Sequence, residues 1–448
     1  METQLDATRF RGEQRGMTIF KNMRLGLLHV AVGVTFVVIN GMLNRVMIHD
    51  LGILSTIVAL LVVLPYFLSP LQVVVGQYSD SHPLWGYRRT PYIAAGLLLS
   101  VGGTALAPHA ALLLATDFWM GILLGMLAFG AWGIGYNLAV VAYLSLASDL
   151  STEAQRARTI AIMWFMMIVS LIVTAIIVGQ AMETYDHAQM VRVINWACLA
   201  ALAIGFLGLI GLEPRHVDTQ HGPRVRSGEA LRVVTGNPQA KVFFVYLFLL
   251  LVAILGQDIL LEPYGAYAFG MSVRETTQLT ALWGGMTLIS LLLYGLLLSR
   301  WMSKKAGAAL GGSLALFGLL MIAASGGLNM PALFLPGIAL LGFGTGIATS
   351  SNLALMLDMT TAEQAGLFIG AWGVADAMSR GAGMLLGGTV RDVVAWMTGD
   401  MGTGYVTVFF VEACCLMVAL ALLRQIDVAG FRSHQPSMVE LAALVGDA

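Results

Sequence analysis

Charge is what this sequence has least of. Only 11% of its 448 residues are Asp, Glu, Lys or Arg, against about 25% in an ordinary soluble domain. A chain so poor in charge cannot cover a water-facing surface, which excludes a soluble globular protein. A basic surplus is also missing: the formal net charge is -1, which argues against a nucleic-acid partner. Cysteine is scarce, and Cys198, Cys414 and Cys415 all fall inside apolar runs, so no disulfide framework is implied. There is no Walker-type glycine loop, no HExxH-like zinc spacing and no evident nucleophile motif. No catalytic residue, no metal site and no enzymatic activity are therefore expected. Nor is a short cleavable leader expected. The apolar stretch from Leu25 is about 24 residues long, where a secretory core runs about 7–15, so it reads as a permanent span.

What the sequence does have is hydrocarbon. Hydrophobic residues make up 58% and the mean hydropathy is +0.81. A helix crossing a bilayer needs about 20 mostly apolar residues. Twelve such runs are predicted, at 25–48, 53–76, 91–115, 118–146, 159–181, 190–211, 241–261, 277–300, 306–327, 332–357, 365–390 and 404–424. Helix is the expected state of each, because it satisfies its own backbone hydrogen bonds without water. The longest polar stretch, 212–240, divides them six and six. The expected organisation is an N-terminal segment (1–24), a six-helix bundle (25–211), a linker (212–240), a second six-helix bundle (241–424) and a tail (425–448).

Lys and Arg accumulate on the cytoplasmic side of membrane proteins. With the N-terminus inside, 19 of the 24 basic residues fall on that side, so both termini are expected in the cytoplasm. The halves echo each other. "GIGYNLAVVAYLSLASDLSTEAQ" (Gly133 to Gln155) parallels "GIATSSNLALMLDMTTAEQ" (Gly346 to Gln364), each with an Asn-Leu-Ala and an acidic turn. This is the pattern of a transporter-like fold built from two related bundles.

Five places carry polar residues that lipid does not explain. In "GQYSDSHPLWGYRRTPY", Gly76, Asp80, Gly86, Arg88 and Arg89 resemble the loop signature of the major facilitator superfamily, where Asp and Arg form a network that helps hold one conformation. The plainer reading is that the arginines only fix topology. In the second half Ser299 stands where the matching Asp would be. The seventh span ends in "GQDILLEPYGAYAFGMS". Rise along a helix places Asp258 roughly 25 Å into a core about 30 Å thick, near the outer mouth. Gln257, Asp258 and Glu262 there read as acceptors for a polar headgroup or cation, with Pro263 helping to end the helix. Alternatively the acids cap neighbouring helices or pair with Arg45 or Arg274. In the eleventh span Asp376 lies about 16 Å in, near the midplane, with Arg380 one turn on. Ionisable groups at that depth are functional-site candidates, although an i, i+4 pair can also neutralise itself. In the first span His29 lies about 6 Å in and Asn40 roughly 22 Å. Each is a candidate axial ligand to a metal tetrapyrrole, against the common role of bonding a nearby carbonyl. Glu412 in the last span is open to either kind of reading.

"LNRVMIHDLGI" (Leu43–Ile53), "SDSHPLWGYRRTPYI" (Ser79–Ile93), "QDILLEPYGAYAFGMS" (Gln257–Ser272) and "LTALWGG" (Leu279–Gly285) together closely resemble the bacteriochlorophyll delivery family. This branch of the major facilitator superfamily includes the PucC and LhaA light-harvesting assembly proteins. The resemblance spans essentially all twelve runs. It implies a membrane chaperone of antenna polypeptides that escorts or delivers bacteriochlorophyll as cargo, in the photosynthetic intracytoplasmic membrane, with membrane lipids as its surroundings and no intrinsic cofactor. Composition and spacing alone lean instead to a proton-coupled secondary transporter of a tetrapyrrole or other organic solute, with Asp258, Glu262 or Asp376 taking the proton.

Overall fold

Backbone polar groups in lipid must be satisfied within the segment itself, and the apolar runs do so as helices. The computed structural model describes residues 18–72, 78–79, 82–183, 185–215, 238–358 and 365–427. Helix α1 (Ile19–Val37) starts at Thr18, whose hydroxyl accepts from the Lys21 N–H at 3.3 Å. It runs on through two π-helical turns, Val38–Leu43 and Val46–Asp50. Then follow α2 (Ser55–Val62), α3 (Leu64–Phe67), α4 (Thr90–Thr116), α5 (Phe118–Leu150), α6 (Glu153–Ala181) and α7 (His187–Leu209). After the linker come α8 (Pro238–Gly256), α9 (Leu261–Phe269), α10 (Val273–Leu296), α11 (Lys304–Gly327), α12 (Phe334–Asp358), α13 (Ala365–Thr398) and α14 (Met401–Gln425). No strand is formed among the described residues.

Ten helices among the described residues are long and apolar enough to cross a membrane. The other two expected spans depart from the simple picture. The second is broken into α2 and α3, because Pro65 has no N–H to give and its ring crowds the preceding turn. The eleventh, α13, is 34 residues long, close to the 33 of α5, but carries Asp376, Arg380, Arg391 and Asp392 along its length.

The chain gathers into two compact units. One lies within Met1–Leu51, Leu68–Gln220 and Val273–Thr280, the other within Gly52–Phe67, His221–Ser272 and Ala281–Ala448. The first is centred on α1 and α4–α7, the second on α8 and α11–α14 with α2 and α3 packed on α13. Each has the same tight helix pair. A Cβ on Gly135 of α5 would sit 2.3 Å from the Ser100 nitrogen of α4, and one on Gly344 of α12 would sit 2.4 Å from the Ala315 nitrogen of α11. Only glycine allows backbones to meet that closely. The repeated Asn is used alike in both halves. Asn137 donates to the Gly133 carbonyl and accepts from Gln72; Asn352 donates to the Ala348 carbonyl and accepts from the Tyr246 hydroxyl.

Candidate functional site

The second unit holds a polar cluster inside its helices, and glycine places it. Helix α8 meets α13 backbone to backbone: a Cβ on Gly383 would lie 2.8 Å from the Gly256 Cα. Past Gly256 the chain tightens into a 3-10 turn, Gln257–Ile259, before α9 begins at Leu261. That turn aims Asp258 at α13, where Arg380 Nη1 donates to Asp258 Oδ2 at 2.5 Å. The two side chains are only 13% and 18% exposed. Gln257, itself buried, donates from Nε2 to Asp258 Oδ1 at 2.7 Å. The Arg380 guanidinium also lies 5.6 Å from the centroid of the Tyr66 ring on α3.

Two further carboxyls face this pair. Asp376 is within electrostatic reach of both Arg380 and Asp258. Glu412 of α14 is 2% exposed and lies over the helix crossing, its Oε1 2.8 Å from where a Gly256 Cβ would stand. Neither Glu412 oxygen has a hydrogen-bond partner among the described residues. An uncompensated carboxylate in such surroundings costs several kcal/mol, so a proton or a donor on a bound molecule must hold it. The arrangement offers guanidinium and amide donors beside carboxyl acceptors in a largely water-free setting.

Several expectations change. The i, i+4 reading pairs Arg380 with Asp376, yet Arg380 is ion-paired to Asp258, which depth counting places within about 3 Å of its level. Asp258 lies in the 3-10 turn and Glu262 is buried in the first turn of α9. Pro263 does not end a helix but sits near the start of α9, where a missing N–H costs nothing; α9 ends at Gly270, φ +63°.

His29 and Asn40 belong to the first unit. Asn40 donates to the Phe36 carbonyl at 3.0 Å, a local bond within a π-helical turn. His29 is buried between Tyr143 and Trp164, with ring centroids 5.1 and 5.2 Å away. Its Nδ1 has no partner among the described residues. Of the loop signature, Gly76 and Asp80 lie outside the described residues. Gly86, φ +78°, and Trp85, φ +53°, form the two-residue turn between bridged Leu84 and Tyr87, a backbone shape that favours glycine. Arg89 is buried and bonds Ser79 at 2.7 Å and Asp149 at 3.3 Å. Arg88 enters this network through its backbone. The Arg88, Arg89 and Thr90 N–H groups all donate to Glu213, at 2.7 to 3.2 Å. A carboxylate at the start of α4 is the favoured charge there. Sequence reasoning missed Glu213, and it left Glu412 open although a lone acid inside "VFFVEACCLMVALALL" was the signal.

Residues 42–431 match the family described as "PUCC protein". The chain is 33% identical over 385 residues to Protein PucC of Rhodovulum sulfidophilum, covering 83% of this chain and 85% of that one. It is 31% identical over 424 residues to Protein PucC of Cereibacter sphaeroides, covering 90% and 92%. Among solved structures it is similar to a bacterial homologue of the human lysosomal transporter Spinster. The TM-score is 0.71 at 14% identity, over 94% of this chain and all of that one. That likeness shows the fold, which is of the major-facilitator type.

Proposed function

We propose, on the premise that this chain belongs to the PucC protein family, that it is an assembly factor for bacterial light-harvesting complexes. In this reading it binds or delivers bacteriochlorophyll and chaperones antenna polypeptides in the photosynthetic intracytoplasmic membrane, with both termini cytoplasmic. The observation that carries the reading is the cluster of Asp258, Arg380, Gln257 and Glu412 buried among apolar helices. A tetrapyrrole is a flat apolar plate with polar atoms at its rim. Arg380 and Gln257 supply N–H donors suited to carbonyl oxygens on that rim, and the Asp376 and Glu412 carboxyls suit hydrogen-bond donors. In the first unit, and separate from this cluster, His29 is an imidazole whose Nδ1 has no partner among the described residues, suited to a magnesium. The isoprenoid tail, which gains nothing from a water-filled cavity, lies in a lateral groove open to lipid. Antenna helices dock on apolar outer faces where small residues permit close approach.

The test is genetic and quantitative. A cell lacking this protein is complemented with the wild-type chain or with Asp258→Asn/Glu262→Gln, and antenna absorption is compared at equal protein level. The double variant is expected to lower antenna content severalfold; normal antenna content would remove these acids from cargo handling. Glu412 favours a second reading, proton-coupled transport of a tetrapyrrole or other organic solute, since a buried acid without a partner is a natural proton carrier. Proton-coupled uptake by colourless, partner-free protein in liposomes would select it.

A further inference from the structure

The first unit carries an apolar groove apart from the cluster described above. Its volume is about 260 Å³, and it runs between the first turns of α4 (Thr90, Ala94, with Tyr87 before them) and the end of α7 (Phe206, Leu209, then Ile210). Arg24 of α1 fixes the α7 wall, donating to the Gly208 carbonyl at 3.2 Å and to the Ile210 carbonyl. At the rim stands Arg215, exposed, its Nε bonded to the Tyr87 hydroxyl at 3.0 Å and its guanidinium 5.6 Å from the Tyr87 ring centroid. This contact holds the cation against a groove-lining ring. The Nη groups of Arg215 have no partner among the described residues. The nearby carboxylate, Glu213, is taken up by three backbone N–H groups at the start of α4 and makes no ion pair with Arg215. Beside the groove the Leu84–Tyr87 turn presents Trp85, 86% exposed. Indole side chains in membrane proteins favour the headgroup level.

We propose that this groove is a binding site for an anionic phospholipid, with an acyl chain lying between α4 and α7 and the phosphate meeting Arg215. The chemistry is complementary at each level. The wall is apolar where the chain lies, and the rim is cationic where the phosphate lies. A planar guanidinium with unused N–H groups is the side chain best shaped for phosphate. A zwitterionic lipid would bring an ammonium to the same rim, where Arg215 disfavours it. The site lies at the end of the bundle where basic residues collect, and therefore faces the leaflet that attracts them.

Full-length protein in detergent, titrated with dioleoyl-phosphatidylglycerol or dioleoyl-phosphatidylcholine and read by native mass spectrometry, tests this. The wild type is expected to bind the phosphatidylglycerol at least about fivefold more tightly, the effect of about one basic contact at a lipid surface. Arg215→Gln should erase most of that preference, and Ala94→Trp, which fills the groove, should weaken both lipids. Arg158→Gln, an exposed basic residue at the start of α6, should leave the preference intact. Arg215 is exposed, so its substitution should not prevent folding; an unchanged melting temperature confirms that. Equal binding of the two lipids by the wild type would overturn the site. So would an unchanged preference in Arg215→Gln, or an equal loss in Arg158→Gln, which would mean diffuse surface charge.

Discussion

Asp258 and Arg380 are ions kept out of water, and the cost of that falls differently on each way of disturbing them. Desolvation of a buried pair nearly offsets its attraction, whereas removing one partner strands the other at about 3–5 kcal/mol. Asp258→Asn or Arg380→Gln alone should therefore lower thermal stability markedly. The double variant should be more stable than the sum of the two single losses, as measured by unfolding of the purified protein in detergent. Strict additivity would mean the two side chains do not interact. Glu412 sits differently, because it has no partner to strand. Glu412→Gln keeps shape and removes only the acid, so stability should change by less than about 1 kcal/mol while function changes. Gly256→Ala should cost about 1–3 kcal/mol from overpacking, since its Cβ would meet both Glu412 and the Gly383 backbone.

Much of this cluster was legible in the sequence, but not its assembly. Rise per residue assigns depth along one helix at a time. It carries no record of tilt, nor of the 3-10 turn that shifts Asp258 toward α13. Each ionisable residue was therefore visible as an anomaly in an apolar run, while the pairing of Asp258 with Arg380 followed from the Gly256–Gly383 crossing. That crossing is tertiary.

At the scale of elements, polar side chains tie down the starts of helices. Asp392 of α13 accepts from the Ser55 and Thr56 N–H groups at 3.2 and 2.7 Å and from the Thr56 hydroxyl at 2.8 Å, and Arg391 bonds it at 2.8 Å. This ties the start of α2 to α13. Asp400 caps α14 in the same way, accepting from the Gly402 and Thr403 N–H groups and the Thr403 hydroxyl. Asp400→Ala should cost about 1 kcal/mol, the usual worth of such a cap. The Thr403 hydroxyl and these N–H groups hold the Asp400 carboxyl below its ordinary value. A group whose folded value is depressed adds stability above its unfolded pKa, about 3.9, and loses it as pH falls through the folded value. Protection of the Gly402 and Thr403 amides from hydrogen exchange, corrected for intrinsic rate, should thus be flat from neutrality to about pH 4 and fall below it. In Asp400→Ala that acid-dependent step should vanish. The break of the second span at Pro65 was readable from the proline itself. Hydropathy alone passes straight through it, because Leu, Val and Pro do not differ enough in polarity.

At the scale of the whole molecule, the repeat seen in the sequence is physical. The same Asn-Leu-Ala places Asn137 and Asn352 in matching roles, and the same glycine spacing joins α4 to α5 and α11 to α12. Composition alone sufficed for an all-helical membrane protein. What the sequence could not supply from periodicity was purpose, since the fold is shared with proteins described as transporters and fold does not fix function. Family membership supports a role in photosynthetic complex assembly.

The most direct measurement is to isolate the full-length protein gently from a pigment-producing cell and record its near-infrared absorption together with its co-purifying polypeptides. Stoichiometric bacteriochlorophyll and antenna subunits are expected with the wild type, with pigment per folded protein strongly reduced in Asp258→Asn/Glu262→Gln. Colourless wild-type protein without antenna partners, purified intact, would contradict the account.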